Sequence, residues 1–140
     1  MMARLHDVSF DGDQVAAMVE APDFDVSALD KPVRQHSKGM VQKLGLAACF
    51  LSGKDLFVLD EPTSGLDSKA RILVKQHLQR LRDSGASILI STHMLADAEQ
   101  VCDRIGVLHD GTLKFIGTPT QCCVEHGVEH LEEAYLTLID

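Results

Sequence analysis

Apolar positions along this chain recur at two different periods, and the changes of period mark out its elements. From Lys38 to Leu51, the residues Met40, Leu44, Ala47 and Leu51 fall at helical spacing, with Ser37 placed to cap the first turn and Gly53 to stop the last. Leu56-Phe57-Val58-Leu59 is an unbroken apolar run ending in Asp60-Glu61-Pro62, the pattern of a strand covered on both faces. A helix over Ser68 to Arg82 follows, with Val74, Leu78 and Leu81 on one face and Gly85 after its end. Ser87-Ile88-Leu89-Ile90-Ser91 reads as a second buried strand, and Leu95, Ala98 and Val101 mark another helix. Ile105 to Leu108 and Leu113 to Ile116 flank Asp110-Gly111, a strong signal for a two-residue hairpin turn. A closing helix is expected from Leu131 to Leu138. The stretch before Pro32 is acidic and weakly patterned. Asp11 or Asp13 can cap a short helix there through Val15, Ala16, Met18 and Val19, ended by Pro22, and no strand is expected.

Strands alternating with helices imply an α/β layered fold, with a mostly parallel sheet and a C-terminal β-hairpin. The chain has 140 residues, enough for one compact domain. Only 4% of them are aromatic and none is Trp, so the core must be aliphatic. A net charge of -8 argues against a general nucleic-acid binder, which needs a basic face. It also gives no electrostatic reason to sit on an anionic membrane. No apolar run approaches the roughly 18 residues of a membrane span, and the start of the sequence lacks a signal-peptide core. Cys49, Cys102, Cys122 and Cys123 have no spacing that suggests a disulfide framework, so reduced thiols and a cytosolic setting are expected. His6, His77 and His109 read as solvated.

The strand ending in Asp60-Glu61 carries the most chemical information. In a parallel sheet, ligands bind beyond the carboxyl ends of the strands. One carboxylate there can hold a hydrated Mg²⁺, and the other can orient or deprotonate a water. Such a strand end is also common without any function. However, the next apolar strand runs into Ser91-Thr92-His93 and brings an imidazole to the corresponding end. Upstream, Ser37 and the free N–H groups of the helix it caps form an anion site, and Gly39 lets backbone approach a phosphate.

Taken together, these segments resemble the ATP-binding subunits of ABC transporters. Leu56 to Glu61 is similar to the Walker B segment, with Asp60 as the Mg²⁺-associated aspartate and Glu61 as the general base. Ser64-Gly65-Leu66-Asp67 resembles the D-loop, and His93 the switch histidine. His36-Ser37-Lys38-Gly39-Met40-Val41-Gln42-Lys43-Leu44 resembles the signature segment, in the form Tyr-Ser-Lys-Gly-Met-x-Gln-Arg found in many exporters, with His36 and Lys43 as departures. The match runs from about Lys31 to Asp140. It implies a partial P-loop NTPase-like fold in two parts. Residues 1–53 would be a remnant of the helical subdomain with the signature segment, and residues 54–140 the C-terminal part of the ATPase core. It also implies that Glu61 and His93 are catalytic. Ser37, Lys38, Gly39, Met40, Gln42, Asp60, Ser64, Gly65 and Asp67 would contact nucleotide, and Asp60 would hold Mg²⁺ through water. The implied partners are a second ATP-binding subunit in a head-to-tail dimer and an integral membrane permease. The protein would then be cytoplasmic and peripheral to the membrane. The tail, Leu131 to Leu136, resembles the closing helix of exporters that pair with a separate permease.

The family's phosphate-wrapping Walker A loop, Gly-x-x-x-x-Gly-Lys-Ser/Thr, has no match in these 140 residues. Gly53-Lys54 is followed by Asp55, has Ala48 where the first glycine belongs, and lies between a helix and a strand in the wrong order. Only Gly12 precedes Ser37, and the Q-loop is also missing. By this resemblance, the sequence is expected to begin within what is normally the helical subdomain. ATP and Mg²⁺ are expected only with a partner that supplies Walker A, and no ATPase activity is expected from the chain alone. By resemblance, the absent strand belongs between the strand leading to His93 and that of Arg104 to Leu108. Marginal stability, or direct pairing of those two strands, is the expected consequence. A non-catalytic partner or regulator presenting Ser37 and Gly39, or one half of a split subunit, are the alternative readings. A Zn²⁺ site at Cys122, Cys123, His126 and His130 is a minor alternative. It would need both histidines on one helix face, and Gly127 interrupts that helix.

Overall fold

A computed structural model of the chain describes Pro22, Asp23 and residues 32–139. The short helix expected through Val15 to Val19 lies outside the described residues. The described residues form two compact units that divide between Ser91 and Thr92.

In the first unit, a 3₁₀ turn at Val33–Gln35 leads into helix α1, Lys38–Phe50. Strand β1, Leu56–Asp60, helix α2, Ser68–Asp83, and strand β2, Ser87–Ser91, follow. β1 and β2 pair in parallel, Leu56 against Ser87 through Asp60 against Ser91. Helix α2 forms as its pattern predicts. Asp67 accepts from the Ala70 N–H as N-cap, and Ala70, Val74 and Leu78 are buried. Arg80 and Arg82 sit in its last turn, where cations favour the helix dipole. The buried side of α1 differs from the expected stripe. Leu46, Ala47 and Phe50 are inside, whereas Met40, Leu44 and Leu51 are only partly covered.

Phe50 is 1% exposed and anchors this core. Its ring meets Phe57 edge-on at 6.3 Å between centroids and lies tilted on His77 at 4.4 Å. Leu46, Leu59, Leu66, Ala70, Val74 and Leu78 complete the cluster. His77 is therefore not solvated as expected. Its Nε2 is buried without a hydrogen-bond partner, and burial, with Arg80 nearby, pushes its pKa below the usual histidine value. The unfolded chain then takes up the proton first. The stability tied to neutral His77 is complete above about pH 6.5 and is lost as pH falls through that value toward the lowered folded-state pKa. Thermal melts between pH 7.5 and 5.5 should show a falling Tm in the wild type and a flatter profile in His77→Phe.

The strands depart from expectation in one respect. β1 alternates exposed and buried positions, with Phe57 and Leu59 in the core. On its other face, Leu56 and Val58 are 64% and 69% exposed, and Leu89 of β2 is 64% exposed. An unbroken apolar run predicts cover on both faces. Here the helical core lies on one face only, so the parallel pair has a bare apolar side.

The second unit contains helix α3, Leu95–Val101, strands β3, Ile105–His109, and β4, Thr112–Gly117, and helices α4, Pro119–His126, and α5, Leu131–Ile139. The hairpin turns where the sequence indicates. Asp110 and Gly111 have φ of 47° and 70°, the doubly left-handed geometry that Asp-Gly favours. The antiparallel pair shifts register once, between Val107 and Leu108. Helix α4 has a complete capping box, Thr118 with Gln121, and Pro119 in its first turn. Gly127, at φ 68°, ends it. The α/β fold is thus present, with a parallel pair, a C-terminal hairpin and, among the described residues, five α-helices. Within the units, β2 pairs with β1, and β3 pairs with β4.

Cys122 and Cys123 are buried with Ala98, Leu131 and Ala134 in the core of this unit. Burial pushes both thiols above the usual range, which keeps them protonated. Gly127 separates His126 from His130, so the two histidines share no helix face. Among the described residues, no group of three or more His, Cys, Asp or Glu side chains is placed to hold a metal ion. No helix among them is long and apolar enough to cross a membrane.

Candidate functional site

β1 delivers Asp60 to the carboxyl end of the parallel pair, directly opposite Ser91. The Ser91 hydroxyl donates to Asp60 Oδ1. One step further, the Glu61 N–H donates to Ser91 O at 2.9 Å and extends the pairing into the loop. Glu61 then takes φ 48°, a left-handed conformation that costs a non-glycine residue about 1 kcal/mol. This reversal carries the chain off the strand. Ser64 N–H closes the turn on Glu61 O at 3.1 Å, Thr63 is buried, and Leu66 drops into the core. Gly65 follows at φ 73°.

Asp67 ends the turn and starts α2. It accepts from the Ala70 N–H at 2.9 Å and from Lys43 Nζ at 2.8 Å. The backbone hydrogen bond, then the Lys43 contact, lowers its pKa to about 2. The stability it contributes is complete above the unfolded value of 3.8 and is lost as pH falls through about 2. Melts from pH 5 to pH 2 should show this loss in the wild type. In Asp67→Asn, which keeps the cap oxygen and loses the charge, the slope assignable to this site should vanish.

The turn is held from outside by the first turns of α1. Ser37 caps α1 by accepting from the Met40 N–H at 3.2 Å, and its hydroxyl keeps a proton to donate. Ser37 and Lys38 are exposed. At Gly39 a Cβ would stand 2.8 Å from Gly65 O. Gly39 is therefore needed for close approach to this chain's own D-loop segment, a reason the sequence reading did not contain. Gln42, expected on a nucleotide, turns Nε2 onto two backbone oxygens, Glu61 O and Pro62 O, each at 3.2 Å. Lys43 reaches Asp67 and also Asp23 O at 3.2 Å, and Lys69 pairs with Asp23 at 2.7 Å.

Ser37, Gly39, Gln42, Asp60, Glu61, Ser64, Gly65 and Asp67 thus gather around one turn of the first unit. His93 belongs to the second unit. It lies exposed in the loop before α3, where the Met94 N–H bonds Thr92 Oγ1 at 3.0 Å. That unit also has a cleft of about 500 Å³ walled by Glu99, Cys102, Asp103, Thr118, Cys123 and Glu129, and none of the expected nucleotide-site residues lines it.

Sequence reasoning missed Ser91 as the partner of Asp60, because parallel register is not written in the strand pattern. It also missed Asp23 and the backbone role of Gln42. Lys43 stood out only as a departure from arginine. For Mg²⁺, the Asp60 carboxylate and the Ser91 hydroxyl are adjacent hard oxygen donors, which suits that ion.

The sequence pattern of the ABC transporter family matches residues 8–64, a stretch that includes α1, β1 and the turn after it. The chain belongs to the ABC transporter ATP-binding family. The family match begins upstream of Lys31, within the acidic stretch whose own pattern is weak. An uncharacterised ABC transporter ATP-binding protein of Synechocystis sp. is 41% identical over 92 residues, 66% of this chain and 26% of that protein. The Nod factor export ATP-binding protein I of Ralstonia nicotianae is 41% identical over 90 residues, 64% of this chain and 28% of that protein. A solved ATP-binding subunit of an ABC transporter superposes with a TM-score of 0.82 at 31% identity, over 98% of this chain and 58% of that one. The chain therefore spans about a quarter of these curated ABC relatives and just over half of the solved subunit.

Proposed function

We propose that this chain is part of the ATP-binding subunit of an ABC exporter, a cytoplasmic element coupling ATP binding and hydrolysis to transport through a membrane permease. The observation that carries this reading is the shared turn. Asp60 and Glu61 leave β1 beside Ser91, and the signature helix is clamped on the same turn. The closing helix and the relative named for Nod factor export favour export over import.

In this reading, Asp60 holds Mg²⁺ through water, and the ion neutralises phosphate charge when bound. Glu61 orients and deprotonates the attacking water. His93 bonds a phosphate oxygen or that water. Ser37, Lys38, Gly39 and Met40 face a nucleotide held by a second ATP-binding subunit in a head-to-tail dimer, where the α1 N-terminus meets phosphate. Ser64, Gly65 and Asp67 lie beside that interface.

With no Walker A loop in the sequence, the chain alone should not turn over ATP. Phosphate release by the purified chain should equal that of a Glu61→Gln control. Turnover above the control removes this part of the reading. Mixing the chain with a complete ATP-binding subunit tests the rest. ATP-dependent association that is lost in Ser37→Glu supports it, and no association at saturating ATP defeats it. The exposure of Ser37 and Lys38 favours a second reading, in which the chain is a non-catalytic partner or regulator, or one half of a split subunit. Association without added hydrolysis would select it.

A further inference from the structure

Gln42 is a polar side chain on a helix, yet its amide group is spent on two carbonyl oxygens 19 and 20 residues away. Both partners are acceptors, so only the amide nitrogen can face them, and its two hydrogens match the two oxygens. One of those carbonyls belongs to Glu61, the residue in the left-handed conformation. The other belongs to Pro62, which has no N–H to give in return. Ordinary backbone pairing does not hold consecutive carbonyls together in this way. Glu61 O already takes the Ser64 N–H, so Gln42 adds a second bond to an oxygen that defines the turn. Its neighbours fix the helix in register with the turn, through the close approach of Gly39 to Gly65 O and the ion pair of Lys43 with Asp67.

We propose that Gln42 is a positioning residue for Glu61. Its amide holds the Glu61 and Pro62 peptides in the reversed orientation that aims the Glu61 carboxylate off the end of β1. Movement of α1 would then be transmitted to the carboxylate through one side chain. This inference rests on the reading of Glu61 as the water-orienting base. The link from α1 to the turn is a backbone property, and it can be measured without nucleotide.

The test is amide hydrogen exchange on the isolated chain, comparing wild type, Gln42→Met and Gln42→Glu. Met keeps the shape and removes the donor. Loss of a bond of this kind should lower protection of the Ser64 and Leu66 amides by about fivefold to tenfold, with the Leu59 and Ile90 amides unchanged. Glu accepts only when ionised and regains an O–H donor when protonated. Gln42→Glu should therefore lose at least as much protection as Gln42→Met at pH 7 and recover part of it below about pH 4, where its one O–H can replace one of the two bonds, after correction for intrinsic exchange. A purely packing role would show no such pH-dependent recovery. Equal turn protection in wild type and Gln42→Met overturns the proposal. So does a loss spread evenly over the first unit, or a Gln42→Glu profile that is flat with pH. None of these outcomes depends on whether the chain associates with an ATP-binding partner, so failure of the proposed function would be seen separately.

Discussion

Gly39→Ala should destabilise the chain by about 1–3 kcal/mol, although alanine is the better helix former by about 1 kcal/mol. The added Cβ would lie 2.8 Å from Gly65 O, a backbone atom on a turn already held by Gln42 and Lys43. Neither the helix nor the turn can retreat without breaking one of those contacts. Gly45, in the same helix, is the internal control. Nothing lies within 4 Å of a Cβ placed there. Gly45→Ala should therefore stabilise by about 0.5–1 kcal/mol. Urea melts of the two variants should move in opposite directions from wild type. Equal shifts would mean that the turn yields freely to α1.

Phe50→Ala should cost about 3–5 kcal/mol, enough to unfold much of the first unit at ambient temperature. Phe50 touches both Phe57 of β1 and His77 of α2, so its removal opens the space where helix, strand and helix meet. Far-UV circular dichroism and urea melts would show the loss. Phe50→Leu should recover most of the stability, since it refills the volume and gives up only the ring contacts. If Phe50→Ala melts like the wild type, the core is not where α1, β1 and α2 join.

The order of elements was legible because local chemistry fixed each end. Ser37 and Asp67 cap helices, Gly127 stops one, and Asp110-Gly111 closes a hairpin. Each of these signals acts within four residues. The site was legible as a set of residues because Asp60-Glu61, Ser64 to Asp67 and Ser37 to Lys43 fall in a familiar order. How they touch was not legible. Gln42 meets Glu61 across 19 residues, and Asp60 meets Ser91 across 31. Such pairings depend on strand register and on the seating of α1, neither of which leaves a local trace. The buried stripe of α1 was misplaced for a similar reason. From Leu44 to Phe50 the helix carries no charged or amide side chain, so periodicity alone does not choose Leu46 and Phe50 over Leu44 and Leu51. His77 was misjudged because the ring that covers it belongs to a different helix.

The bare side of β1 and β2 also shapes how the chain responds to temperature. Leu56, Val58 and Leu89 already meet water over most of their surface in the native state, so their hydration changes little on melting. The heat-capacity increment per residue should then fall below the usual 12–15 cal/mol/K, roughly, of globular chains. A smaller increment gives a shallower stability dome, in which neither warming nor cooling changes the folded population steeply.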